Sequence, residues 1–129
     1  MDMLSTESTP TVAVSGAQPP PIDAVALLDR CQNSAALARR LAERFVAEAP
    51  SQLGLIRDAL LAQDGGTAAK QLHKLRGSLG VFGAMTAHEL ACQLEERAAA
   101  SELGGIETLL AALDHELGRV RAALEHFDG

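Results

Sequence analysis

The 129-residue chain is poor in aromatic residues, with three phenylalanines and neither tryptophan nor tyrosine. A core without large rings has to be aliphatic, and the leucine and alanine that dominate here favour helix over strand. Proteins that bind RNA by stacking need exposed aromatic side chains, so the composition argues against that class.

Basic residues are also scarce: 11 lysines and arginines stand against 17 aspartates and glutamates, for a net charge of −6. We therefore expect no nucleic-acid binding, which requires a basic surface. Cys31 and Cys92 form neither a CxxC motif nor a disulfide framework, which suits a reducing compartment. The sequence shows no signal peptide and no apolar run of about 20 residues. We expect a cytoplasmic protein without a membrane segment.

The first 21 residues differ in composition from the rest of the chain. They contain four of the five prolines and no lysine or arginine. Such a segment buries too little apolar surface to offset the entropy lost on ordering. The sequence therefore predicts a disordered tail or linker at residues 1–21 and one helical domain at residues 22–129.

From residue 22 onward, apolar residues recur at helical spacing. Pro50 is placed in the first turn of a third helix, which Gly65-Gly66 is expected to end before Thr67 caps the next. The other predicted boundaries lie at Asp23, at Asn33 or Ser34, near Gly83, and at Gly104-Gly105. Because the connections are short, successive helices are expected to be antiparallel. The predicted fold is all-α: an up-and-down antiparallel four-helix bundle with one or two short additional N-terminal helices.

The segment KQLHKLRGSLGVFGA at residues 70–84 places a histidine away from the apolar face of a helix. At 100° per residue, His73 lies about 140° from the centre of the apolar stripe. That stripe consists of Leu72, Leu75, Leu79 and Phe82. The face around His73 carries Ala69, Lys70, Gly77, Gly80 and Ala84. Because a glycine inside a helix costs about 1 kcal/mol relative to alanine, two of them here favour a bare docking surface. Close packing against another helix is the alternative.

The charge near His73 is positive, although the chain is acidic. Lys70, Lys74 and Arg76 lie in a stretch without carboxylates, between Asp64 and Glu89. A phosphoryl group would gain charge-assisted hydrogen bonds from these cations. An ordinary solvated helix face is the alternative interpretation.

Glu95 is a candidate partner for the histidine. If the hairpin turns near position 84, His73 and Glu95 are equally distant from the turn and lie at the same height, about 16 Å along their helices. Glu95 can then accept a hydrogen bond from one ring nitrogen and leave the other as a nucleophile. A surface glutamate without such a role is the alternative.

The sequence HKLRGSLGVFGA, followed by LACQLEE, resembles the histidine-containing phosphotransfer (HPt) domain family. The matching positions are His73, Leu75, Arg76, Gly77, Gly83-Ala84 and Leu94-Glu95. The resemblance implies that His73 is phosphorylated through Nε2 and that Gly77 gives the partner room. It also implies that Glu95 holds the other ring nitrogen and that Arg76 takes a cationic role. Arginine in place of the usual lysine is a departure that keeps the charge.

The resemblance further implies a phosphorelay, with receiver domains of response regulators or hybrid histidine kinases as partners. The receiver would supply Mg²⁺, so we expect no cofactor bound by this chain. Neither GxxxxGK[ST] nor GxGxxG appears, so the chain should not phosphorylate itself from ATP. We expect a monomer.

Two other functions are kept as alternatives. One is the dimerisation domain of a histidine kinase, in which an acidic residue typically follows the histidine, whereas Lys74 follows here. The other is a non-catalytic helical-bundle adaptor. A metal site is disfavoured, because no two histidines are spaced i,i+4 and neither cysteine is expected at ligand spacing from a histidine.

Overall fold

The computed structural model describes residues 19–127, so the predicted tail at residues 1–21 lies almost entirely outside the described residues. Within this range the chain forms five helices and no strand: α1 (Ala24–Arg30), α2 (Ala35–Leu61), α3 (Gly65–Val81), α4 (Met85–Ala99) and α5 (Ile106–Glu125). Helix α2 packs against α3 and α5, and α4 packs against the same two helices. The predicted four-helix bundle is confirmed, with α1 as one short additional helix.

Several predicted helix ends are confirmed by their capping groups. The Asp23 carboxylate accepts a hydrogen bond from the backbone N–H of Ala26 and caps α1, and Ser34 caps α2 in the same way through Leu37. Gly105 precedes α5 with a left-handed φ of 70°. No helix among the described residues is long and apolar enough to cross a bilayer.

The predicted helix boundary at Pro50 is wrong, because α2, which is 27 residues long, continues through this residue. Proline inside a helix costs about 3 kcal/mol or more. The buried positions before and after Pro50 form one stripe: Ala38, Ala42, Phe45, Ala49, Leu53, Ile56 and Leu60. Burying one leucine, isoleucine or phenylalanine contributes about 1.5–3 kcal/mol, so a continuous stripe outweighs the proline. Pro50 itself is exposed.

Helix α3 begins earlier than predicted. Asp64 is its N-cap, and its carboxylate accepts hydrogen bonds from the Thr67 backbone N–H at 3.1 Å and from the Thr67 hydroxyl at 2.7 Å. Gly65-Gly66 therefore forms the first turn of α3 and does not end the preceding helix. Gly65 is buried against the backbone carbonyl of Ala98 at the end of α4. The glycine is used for close helix contact.

The cap at Asp64 makes the free energy of unfolding depend on pH in the acidic range. The Thr67 hydroxyl and then the Thr67 backbone N–H lower the pKa of Asp64 below its ordinary 3.8. A carboxylate with a lowered native pKa stabilises the fold above the unfolded pKa, and this contribution is lost as pH falls through the native value. Asp64→Asn keeps an accepting oxygen but cannot ionise. In urea denaturation, its deficit against wild type should be largest near pH 7 and should shrink below about pH 3.8. A deficit that is constant with pH would contradict this prediction.

The α3–α4 turn is fixed from two sides. Gly83 adopts a left-handed φ of 63°, and the backbone N–H of Asp23 donates a hydrogen bond to the Phe82 carbonyl at 2.9 Å. The Phe82 ring meets the ring of Phe45 edge to face, with centroids 5.1 Å apart. The turn thereby sets the relative height of α3 and α4.

Candidate functional site

Helix α3 presents His73 to solvent because the apolar residues on its other side pack into the core. The predicted stripe is buried throughout: Leu72, Leu75, Leu79 and Phe82. The His73 side chain is 64% exposed. The alternative, in which the helix face that carries His73 packs against another helix, is therefore wrong.

Helix α4 brings Glu95 to the ring at the expected height. His73 Nδ1 and Glu95 Oε2 are 3.1 Å apart, which is hydrogen-bond distance. The Glu95 side chain is only 21% exposed, so it is no freely solvated surface group. When Nδ1 carries the proton, it donates to this carboxylate and leaves Nε2 with a free lone pair.

Arg76 contacts both of these groups. Its Nη2 lies 2.9 Å from His73 Nδ1, and its Nε lies 3.1 Å from Glu95 Oε1. This oxygen is buried and makes no hydrogen bond, so the ion pair with Arg76 is the contact that balances its charge. The pKa of Arg76 is raised, first because Nη1 donates a hydrogen bond to Cys92 and then because Glu95 attracts the cation. Arg76 is therefore a permanent positive charge beside the ring.

Cys92 is a residue of this site that the sequence analysis missed. Arg76 Nη1 donates to its Sγ at 3.6 Å, and the same sulfur lies 3.7 Å from His88 Nδ1. The expectation that no cysteine lies at ligand spacing from a histidine was wrong, because His88 and Cys92 are spaced i,i+4 on α4. That spacing was the signal available in the sequence. Two groups do not make a metal site, and the described residues contain no set of three or more that could hold an ion.

The surface around His73 is open and carries the predicted cations. Gly77 is exposed, and a Cβ built on it would have nothing within 4 Å, whereas the nearest atom to one on Gly80 is His88 Cδ2 at 3.9 Å. Lys70 and Lys74 are exposed and Ala69 is partly buried. These three residues line a shallow hollow together with Gln71, His73 and Glu95.

Ala84 does not belong to this surface. It is fully buried and stands as the N-cap of α4. The helical periodicity that placed it beside His73 ends with α3 at Val81, and the turn through Gly83 redirects the chain. The prediction of Ala84 as an accessible partner-binding residue is therefore wrong.

The fold and the site together define a class: a helical bundle with an exposed histidine, a carboxylate on one ring nitrogen and cations beside it. The family model for the Hpt domain matches residues 40–123, more than half of the chain. The chain belongs to the Hpt domain family. Its function is histidine phosphotransfer in the phosphorelays of two-component signalling, where Hpt domains work with receiver domains. This membership favours phosphotransfer over the adaptor and kinase dimerisation alternatives.

Solved structures support the fold. The histidine-containing phosphotransfer protein HptB of Pseudomonas aeruginosa PAO1 is 23% identical, with a TM-score of 0.77 over 84% of this chain and 94% of that one. The HPT domain of a sensor hybrid histidine kinase from Shewanella is 22% identical, with a TM-score of 0.71 over 81% of this chain and 91% of that one. At these identities the likeness concerns the fold alone. No curated protein sequence matches the chain closely enough to count as a relative.

Proposed function

We propose that His73 is the residue that carries the phosphoryl group, on Nε2. The observation that carries this proposal is the contact between Nδ1 and Glu95 on an exposed ring. Among the described residues, both polar contacts of the ring involve Nδ1, so Nε2 remains available to a partner. When Nδ1–H donates to Glu95, the Nε2 lone pair is free to attack a phosphorus atom.

The transfer step balances within the ring and its partner. The Nε2 lone pair forms the N–P bond while the bond between phosphorus and the aspartyl oxygen of the receiver breaks. The leaving carboxylate keeps the electron pair of that bond. The ring becomes positively charged, and its Nδ1–H donates to Glu95, which stabilises this charge. Return of the group to a second receiver reverses each event, so the chain acts as an intermediate.

The proposed partners are receiver domains of response regulators or hybrid histidine kinases. Lys70, Lys74 and Arg76 supply positive charge around the ring, which suits the phosphorylated, acidic pocket of a receiver. That pocket would hold the Mg²⁺ ion, and this chain would bind no cofactor of its own. We further propose that the protein acts as a monomer in the cytoplasm.

Locating the phosphate after transfer tests this proposal. The chain is incubated with a phosphorylated receiver and Mg²⁺, and the modified residue is identified by mass spectrometry at neutral pH. We expect an acid-labile phosphate on His73. Phosphate on another residue would contradict the proposal. It would also be contradicted if no phosphorylated receiver labelled the chain while a kinase domain with ATP did.

A leucine at Gly77 is expected to stabilise the fold and to slow transfer. The built Cβ meets nothing within 4 Å, and leucine is a better helix former, so the free energy of unfolding should rise by about 1 kcal/mol. The same side chain would stand one turn from His73, where the receiver approaches. A misplacement of about 1 Å can cost a hundredfold in rate, and we expect a loss of about that size. Urea denaturation and rapid-quench transfer kinetics measure the two effects.

Gly118→Leu is the matched control for this prediction. Gly118 lies in α5, is exposed and is equally free of neighbours. It should gain the same stability without any change in transfer rate. If both variants slowed transfer alike, or if neither did, the surface around Gly77 would not be the docking surface.

A further inference from the structure

His73 Nδ1 has two contacts that a neutral ring cannot make at once. Arg76 Nη2 at 2.9 Å is a donor only, so this contact needs Nδ1 without a proton. Glu95 Oε2 at 3.1 Å is an acceptor only, so that contact needs Nδ1 with a proton. The two contacts therefore belong to two different tautomers of the same ring.

Only one of these tautomers can attack phosphorus. When Nδ1–H donates to Glu95, Nε2 is unprotonated and carries the lone pair. When Arg76 donates to Nδ1, the single proton of the neutral ring sits on Nε2, which then cannot act as a nucleophile. The choice between Arg76 and Glu95 thus decides whether the ring is reactive.

The position of Arg76 is determined by more than the ring. Its Nη1 donates to Cys92 Sγ at 3.6 Å, and its Nε lies 3.1 Å from Glu95 Oε1. These contacts place the guanidinium against the Nδ1 side of His73 in the unphosphorylated protein. Glu95 is occupied by the same cation, which weakens its pull on an Nδ1 proton.

We infer that Arg76 is a positioning residue that gates the tautomer of His73, an inference that rests on the proposed role of Nε2 as phosphoryl acceptor. In the resting chain Arg76 holds part of the population with the proton on Nε2. An arriving phosphoryl group offers the guanidinium stronger, bidentate charge-assisted contacts and draws it away from Nδ1. Water then takes the proton from Nε2 and returns one to Nδ1, which donates to Glu95. The substrate thereby produces the reactive form of its own nucleophile.

The test is the ¹⁵N spectrum of the His73 ring in the unphosphorylated chain, recorded at about pH 8.5, where an ordinary imidazole is neutral. In Arg76→Met we expect Nδ1 to shift toward the protonated, pyrrole-type position and Nε2 toward the unprotonated, pyridine-type position. In Glu95→Met both nitrogens should shift the opposite way. Glu95→Gln keeps an acceptor and should restore much of the Nδ1–H form.

Lys74→Met is the control, because it also removes one positive charge, from the position next to His73. Among the described residues, no hydrogen bond or ion pair joins Lys74 to the ring. This variant should leave the ring as in wild type. A spectrum of Arg76→Met equal to that of wild type would overturn the inference, as would an equal response to Lys74→Met. The readout involves no phosphoryl transfer, so it is independent of the test of the proposed function. If that test fails while the spectra respond as expected, Arg76 controls the tautomer of His73, but His73 is not the phosphoryl acceptor.

Discussion

Replacement of His73 by glutamine is expected to reduce phosphoryl acceptance to the background of the assay. Glutamine has no nucleophilic nitrogen, because its amide lone pair is delocalised, so nothing at position 73 can form the N–P bond. The His73 side chain is 64% exposed, and substitutions at such sites usually change the free energy of unfolding by no more than about 0.5 kcal/mol. Loss of transfer in a fully folded protein therefore identifies the acceptor. The measurement is transfer from a phosphorylated receiver, followed alongside urea denaturation.

His115→Gln provides the matched control for this result. His115 is also exposed, but it lies in α5, outside the pair of helices α3 and α4 that carries His73 and Glu95. We expect wild-type transfer from this variant. Substantial phosphate on the His73→Gln chain would show that a different residue is the acceptor.

Substitution of Gly65 by alanine is expected to have the largest effect on stability. A Cβ at this position would lie closer to the carbonyl oxygen of Ala98 than real Cβ atoms approach, and 3.2 Å from its carbonyl carbon. Both atoms belong to the backbone, so α3 and α4 would have to separate. Overpacking of this kind costs roughly 3 kcal/mol, and the melting temperature of a domain of this size should fall by roughly 10 °C. Thermal and urea unfolding measure both quantities.

Gly66→Ala separates this steric effect from a general effect of losing glycine. The next residue in the same turn has only Asp64 Oδ1 near a built Cβ, at 3.8 Å, which is an ordinary contact. Alanine here should leave stability unchanged or raise it by up to about 1 kcal/mol. Equal destabilisation by the two alanines would show that the contact between α3 and α4 is not the cause.

The features predicted best from the sequence depend on local periodicity. The buried stripe that includes Leu72 and Leu79 determines which way His73 faces, because the helical period fixes the angle between these residues on α3. Equal distances from the predicted turn near position 84 put Glu95 at the height of His73, since both helices rise by the same amount per residue. The contact itself is implied by the resemblance to the HPt family. The identification of this pair needed no knowledge of α2 or α5.

The predictions that failed depend on tertiary contacts. The local sequence at Pro50 predicts the start of a helix, and only the packing of α2 along the bundle keeps that helix continuous. The local sequence at Gly65 predicts the end of a helix, but in the structure this glycine allows the backbone of Ala98 in α4 to approach closely. The role of Cys92 depends on the rotation of α4 about its axis, and the burial of Ala84 depends on where α3 ends. Apart from the i,i+4 spacing of His88 and Cys92, none of these features can be read from the spacing of residues within one helix.

The turn at Gly83 also has a kinetic consequence. The reacting ring and its proton acceptor lie on helices that are consecutive in the chain, so their contact closes a short loop. The entropy of loop closure grows with loop length, and contacts of low sequence separation form fastest. Assembly of the reactive pair therefore does not depend on the ends of the chain meeting. In refolding of the chain, we therefore expect the contact between His73 and Glu95 to form before the contacts that join α5 to α2.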